Sequence, residues 1–165
     1  IDSAFEGGAR LRLIKDFGIL SLQGSFRTAG AFNFSVSANS NAGGQGEEIR
    51  LLYGAGFELL GRDGFFDLEA GERFLSAPRP GETPIDVTLG LHLSEGTMLM
   101  LQNFNDIGGG NGHPPYTYFR SHKIEFSVVQ RLSQHFSLQV DGFFSPAGQN
   151  ALQEQGFGLS LWSKI

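Results

Sequence analysis

Cysteine is absent from the 165 residues, which excludes both a disulfide framework and a thiolate metal site. Charge is scarce as well. Asp, Glu, Lys and Arg make up 18% of the chain, below the roughly 25% of an ordinary soluble domain, whose outer surface is largely built from them. The charge that is present leans acidic, with a formal net of -5. No basic stripe exists to displace counterions from phosphates, so nucleic acid is excluded as a partner. Long apolar runs are missing too: Met98-Leu99-Met100-Leu101 falls far short of the about 20 residues that a spanning helix needs. No secretion leader is in view, because Ile1-Asp2-Ser3-Ala4 runs straight into patterned sequence; the expectation is a mature or trimmed chain.

What the chain has in quantity is glycine (24) and phenylalanine (16), arranged with a period of two, the signature of strands whose faces differ. In Ala31–Asn39, Phe32, Phe34, Val36 and Ala38 alternate with Asn33, Ser35, Ser37 and Asn39. In Ile85–Leu93, the apolar set Ile85, Val87, Leu89, Leu91 and Leu93 alternates with Asp86, Thr88, Gly90 and His92. Glu48–Leu60 places Ile49, Leu51, Tyr53, Ala55, Phe57 and Leu59 on one face. Similar segments run over Phe5–Leu13, Leu20–Arg27, Phe65–Leu75, Tyr118–Arg131, Phe136–Phe144 and Gln155–Ile165, and the weakest is Thr97–Phe104, where four consecutive apolar residues erase the alternation. Together they predict one domain over residues 1–165, an all-β, antiparallel up-and-down β-barrel of about ten strands.

The connections sort into two kinds. Tight turns are expected at Thr28-Ala29-Gly30, Gly61-Arg62-Asp63-Gly64, Ser94-Glu95-Gly96 and Leu132-Ser133-Gln134-His135. Longer loops rich in Gly, Asn and Pro are expected at Ser40–Gly46, Ser76–Pro84, Asn105–Thr117 and Ser145–Glu154. Only the first connection, Lys15-Asp16-Phe17-Gly18, breaks the alternation by being short. Short turns at one end and long loops at the other are the habit of outer-membrane barrels, and an even strand number returns both termini to the turn end. The pattern places Phe5, Phe26, Phe32, Phe57, Phe66 and Phe136 at one rim, with Phe74, Tyr118, Phe144 and Phe157 toward the other.

The last segment puts Phe157, Leu159, Leu161, Ser163 and Ile165 on one face, with Trp162 opposite. It resembles the terminal strand signal of bacterial outer-membrane β-barrel proteins. It departs from that signal where Ile165 and Ser163 stand in place of aromatic residues. Tyr118-Phe119-Arg120-Ser121-His122-Lys123 and Gly148-Gln149-Asn150-Ala151-Leu152 also look like stretches of small proteins of this class. The resemblance implies a transmembrane β-barrel in a bacterial outer membrane, porin-like in architecture. It further implies outer-membrane lipid, lipopolysaccharide and the barrel-insertion machinery as partners, along with other envelope or export proteins. The function it implies is non-enzymatic: a narrow channel, or a structural and interaction component of the cell envelope or of surface-polymer export. Two alternatives stand beside it: an outer-membrane enzyme acting on lipid A or peptides, and a soluble, lipocalin-like barrel whose apolar face lines a ligand cavity.

With the apolar face turned to lipid, the lumen collects Glu6, Arg10, Arg12, Arg27, Arg50, Glu58, Asp67, Glu69, Arg73, Asp86, His92, Lys123, Glu125 and Asp141. The turn at Gly61–Gly64 is expected to set Glu58 opposite Asp67, with Glu69 one inward step further. Such a cluster reads as a salt-bridge network filling a narrow barrel, or as an acid/base pair or cation constriction. Ser121, His122 and Glu125 lie within one short stretch, yet neighbouring strand residues face opposite ways, so Ser121 and His122 do not assemble a hydrolytic set. Arg120 and His122 at the outer rim are candidates for contact with lipopolysaccharide phosphates. The loop Gly108–Pro115 lacks the Lys-Ser/Thr ending of a phosphate-binding loop. Asn103, Asn105, Asp106 and Asn111 supply a single carboxylate between them, too little for calcium. His92, His113, His122 and His135 fall on separate elements. No catalytic residue, metal or cofactor is expected.

Overall fold

The computed structural model describes residues 4–15, 18–29, 46–76, 78–114 and 116–163. They form one antiparallel sheet of nine strands in chain order, with no helix among them. The strands are β1 (Ala4–Ile14), β2 (Ile19–Ala29), β3 (Gly46–Leu59), β4 (Arg62–Leu75), β5 (Glu82–His92), β6 (Thr97–Gly108), β7 (Phe119–Arg131), β8 (Phe136–Gln149) and β9 (Gln155–Ser163). The expected strand Ala31–Asn39 lies outside the described residues. β2 pairs directly with β3, Leu22 opposite Leu51, so nothing in the sheet separates them. The sheet is also not closed: β1 and β9 make no contact with each other.

This pairing corrects the expected orientation of the first two strands. With β2 beside β3, the connection across residues 15–18 falls at the same end as the turns after β3, β5 and β7. The alternation of short and long connections then has no exception. Ala4 lies opposite Ala29 at the loop end, while Ser163 lies opposite Phe136 at the turn end. The described strand ends therefore sit at opposite rims rather than together. Phe26, opposite Glu47, moves to the loop rim with Phe74 for the same reason.

Several strands run further than the alternation alone suggests. A two-residue turn, Leu60-Gly61, joins β3 to β4, both residues with positive φ (54° and 72°), as the right-handed twist of the flanking strands favours. β5 begins at Glu82, ahead of a buried Pro84. Pro84 has no N–H to give, and the β4–β5 ladder skips from Ala70–Ile85 to Arg73–Glu82 around it. β8 continues past a bulge in which Ser145 and Pro146 together oppose Lys123. In both places a proline imitates a loop signal inside a strand.

Which face is buried is plain from exposure. On β3, Ile49 is 55% exposed and Leu59 50%, whereas Leu52, on the other face, is 3% exposed. Leu89, Leu99, Leu101, Phe126, Val128 and Val140 are likewise exposed. The buried positions on the opposite face are mostly polar: Ser21, Glu82, Ser127, Gln139 and Asp141, joined by Met100 and Val129. A single sheet buries side chains this deeply without a second layer only by curling round them. The polar face is therefore concave and the apolar face convex, an inversion of the usual soluble arrangement.

Glycine makes the tight concave side possible. Phe65 lies over Gly90, Phe119 over Gly108 and Phe143 over Gly156, each ring occupying the space where the partner's Cβ would stand. In each pair the two residues are direct cross-strand neighbours. A large ring opposite no side chain fills the interior without spreading the strands.

Candidate functional site

The concave face carries one dense ionic cluster, built on β3 to β6. Arg50 Nε donates to Glu48 Oε1 (2.6 Å), and its Nη1 donates to Glu69 Oε2 (2.6 Å) and Asp86 Oδ2 (2.8 Å). Arg73 Nε donates to Glu48 Oε2 (2.8 Å) and Nη1 to Glu82 Oε2 (2.7 Å), with Asp106 Oδ1 at 3.7 Å. Glu48 thus bridges both guanidinium groups. The alternation places these residues on one face, and the direct pairings Glu48–Arg73, Glu69–Asp86 and Arg73–Glu82 bring them into reach.

Two arginines serve five carboxylates here. Arg50 ties β3 to β4 and β5, and Arg73 ties β4 to β3, β5 and β6. Each guanidinium braces the curl across several strands with fork-shaped, charge-assisted bonds that a lysine cannot reproduce. Among the described residues no buried side-chain nitrogen or oxygen lacks a partner, so the cluster is saturated.

The remaining expected lumen residues are distributed around this centre. Glu6 pairs with Arg27 in register, and Arg27 is half-buried opposite Gly46. Arg10 Nε donates to Gln23 Oε1 (2.9 Å), and Arg12 is exposed, opposite Ser21. Lys123 Nζ sits 4.8 Å from the Phe104 ring centre and 5.2 Å from that of Phe143, a cation–π contact on both. Gln139 Nε2 donates to Ser127 Oγ (3.0 Å), Asp141 Oδ1 (3.4 Å) and Glu125 Oε1 (3.5 Å), forming a second, smaller polar cluster on β7 and β8. His92 is exposed opposite Met98.

The expected meeting of Glu58 with Asp67 does not occur. The two-residue turn sets Glu58 opposite Asp63 and Asp67 opposite Gly54, because the strands reverse earlier than a turn at Gly61–Gly64 requires. Ser121 and His122 do face opposite ways: Ser121 pairs with Asp106 on the concave side, and His122 lies on the convex side. There Asn103 Nδ2 donates to His122 Nε2 (2.7 Å). Asn105 Nδ2 donates to Asn103 Oδ1 (2.5 Å) and to the Ile85 carbonyl (3.1 Å). Polar groups on the apolar face thus satisfy one another. Arg120 is exposed one outward step beyond, opposite Ile107. Asn111 is engaged in its loop with the Pro78 carbonyl (3.1 Å) and the His113 amide (3.0 Å), so Asn103, Asn105, Asp106 and Asn111 do not converge.

Glu48, Glu82 and Asp106 are the cluster members that the sequence pattern alone passed over. Glu48 shares parity with Arg50 and was legible on that ground. Glu82 and Asp106 lay in stretches whose Pro and Gly content spelled loop. The two-residue spacing Glu82-Pro84-Asp86 was their only signal. Comparison of the chain with protein-family models, with curated proteins and with solved structures finds no match.

Proposed function

We propose that this chain is an integral β-barrel protein of a bacterial outer membrane, non-enzymatic, with a lumen filled by ion pairs. Its role in that reading is that of a structural or interaction component of the envelope rather than an open pore. The observation that carries it is the inversion of the two faces: the apolar side chains stand exposed, and the charged ones are buried and paired. Contiguous exposed apolar surface of this kind needs a covering, and a bilayer supplies one along every strand at once. Strands of 9 to 14 residues meet the about 9–11 that a tilted membrane strand requires. A soluble barrel holding an apolar ligand needs the opposite arrangement, with its apolar side chains turned inward.

The ionic cluster supports a filled lumen over an open channel, since Arg50 and Arg73 with their carboxylates stand where water and ions would pass. In the same reading Arg120 and His122 lie at headgroup level, within reach of lipopolysaccharide phosphates, and β9 supplies the strand that the insertion machinery engages. Cell fractionation tests the proposal: the chain is expected in the outer-membrane fraction, resistant to carbonate and released by detergent. Recovery as a soluble monomer without detergent refutes it. Planar-bilayer recordings test the filled lumen, with no discrete conductance steps expected; a stable open level overturns that part.

A further inference from the structure

Asn103, Asn105 and His122 interrupt the apolar run on the convex face of β6 and β7, and their hydrogen bonds have a direction that one end fixes. The Ile85 carbonyl can only accept, so Asn105 must turn its Nδ2 toward it (3.1 Å). The same nitrogen donates to Asn103 Oδ1 (2.5 Å). That leaves Asn103 Nδ2 to donate to His122 Nε2 (2.7 Å). A ring nitrogen that accepts carries no proton, so the neutral imidazole holds its proton on Nδ1. Among the described residues nothing accepts from that N–H, and no buried side-chain nitrogen lacks a partner. The Nδ1–H of His122 therefore reaches the outer surface.

Arg120 stands one outward step beyond His122 on β7, exposed and without an ion pair among the described residues. Toward the turn end follow Ile124 and the exposed Phe126, with Leu101 opposite Phe126. Register puts no acidic residue on the outward face of β5 to β8. The carboxylates of these strands, Glu82, Asp86, Asp106, Glu125 and Asp141, all share the concave side. Two donors, one a permanent cation, thus stand above an apolar column. Phosphate oxygens accept from both donors, and an acyl chain covers the column beneath.

The level of the site agrees. The outer limit of the apolar face runs through Glu47 on β3, Glu72 on β4, Thr83 on β5, Asn103 on β6, His122 on β7 and Gln155 on β9, with Phe74 and Ile107 just past it. This limit is oblique to the ladder. Glu47 lies opposite Phe74, one outward step above Glu72, whereas Asn103 lies opposite Val87, two steps below Thr83. Gln155 lies opposite Phe144, itself opposite Ile124, one step below His122. Strands tilted by about 35–45° across a bilayer produce such an oblique margin. Asn103 is in the middle of its strand, yet it stands at the loop-side edge of the lipid-facing band.

We propose that His122 and Arg120 form a site for the phosphate of an outer-leaflet lipid, with Asn103 and Asn105 as positioning residues that fix His122 as an Nδ1–H donor. The inference rests on the lipid-facing reading and deepens its lipid contact, naming the donor atom, the residues that set it and the path of the acyl chain.

The full chain, labelled with ¹⁵N-histidine and held in detergent micelles, tests it by nuclear magnetic resonance, with His122→Gln identifying the His122 signal among the four histidines. The expected result is a neutral His122 with its proton on Nδ1, where a free histidine side chain favours Nε2, and a return to the Nε2–H form in Asn103→Ala. Titration with diphosphoryl lipid A is expected to shift the Nδ1 signal of His122. The affinity is expected to fall about tenfold in Arg120→Gln and about threefold in Asn103→Ala. The same lipid stripped of its phosphates, and inorganic phosphate, are expected to leave the signal in place. A proton on Nε2 in the native chain, equal binding of the phosphate-free lipid, an equal response to inorganic phosphate, or unchanged affinity in Arg120→Gln overturns the proposal. Carbonate extraction of membranes reads the lipid-facing assignment separately, so a chain that stays in the membrane but fails these tests loses the site alone.

Discussion

Replacing Arg50 by Gln tests whether the ionic cluster holds the curl of the sheet. Arg50 is 15% exposed and bonds three carboxylates that are themselves 11–25% exposed. The substitution leaves Glu69 and Asp86 without their cation, while Glu48 keeps Arg73. Removing one member of a fully buried pair costs about 3–5 kcal/mol, because the partner's charge stays buried unpaired. With this much residual exposure, water takes up part of the loss, and about 2–4 kcal/mol is expected. Near the middle of that range the unfolding equilibrium shifts roughly a hundredfold, since about 1.4 kcal/mol is a factor of ten. Urea unfolding in detergent micelles, followed by the emission of Trp162, the single tryptophan, measures the shift. The double variant Arg50→Gln with Glu69→Gln is expected to recover part of the loss, because one orphaned charge is then absent. Arg12→Gln, at an exposed position, serves as the control and is expected to change little. If Arg50→Gln unfolds at the same urea concentration as Arg12→Gln, the cluster does not brace the sheet and the reasoning is refuted.

Three further perturbations test other parts of the fold. Leu60 holds φ at 54° and is 92% exposed, a conformation that costs a bulky residue about 1–2 kcal/mol and costs Asn less. Leu60→Asn is therefore expected to raise the unfolding midpoint by the equivalent of about 1 kcal/mol, and a lowered midpoint counts against the turn. Gly90→Ala drives a methyl into the Phe65 ring and is expected to cost about 1–3 kcal/mol by overpacking; combining it with Phe65→Leu should restore much of that in the same unfolding assay, and no rescue dissociates the pair. Leu68→Lys, mid-strand on the convex face, is expected to lose about 2–4 kcal/mol in lipid while Phe136→Lys at the rim loses about 0–1. Equal effects at the two depths, or a gain in solubility without loss of folding, remove the bilayer from the explanation.

Period-two alternation, the scarcity of charge and the supply of Gly and Phe were enough to indicate an antiparallel all-β chain and to sort most residues into two faces. Arg50, Glu69, Arg73 and Asp86 were placed on a common face by parity alone, because a strand projects every second side chain the same way. Strand ends were less legible. Pro84 and Pro146 read as loop residues in sequence, yet one sits where the ladder skips and the other in a bulge. The cost of a missing N–H is local, and neighbouring strands absorb it.

Parity says which residues travel together but not which set faces inward, since a lipid-facing and a ligand-lining barrel share the same alternation. The curl of the sheet decided that, burying Leu52, Ser127 and Asp141 and leaving Ile49, Leu99 and Phe126 exposed. Register decided the rest. The pairing of β2 with β3 reversed the first two strands, and the Leu60-Gly61 turn separated Glu58 from Asp67. Across strands, neighbours are chosen by the hydrogen-bond ladder and the turn that starts it. That information lies between segments, and the three-dimensional pairing supplied it.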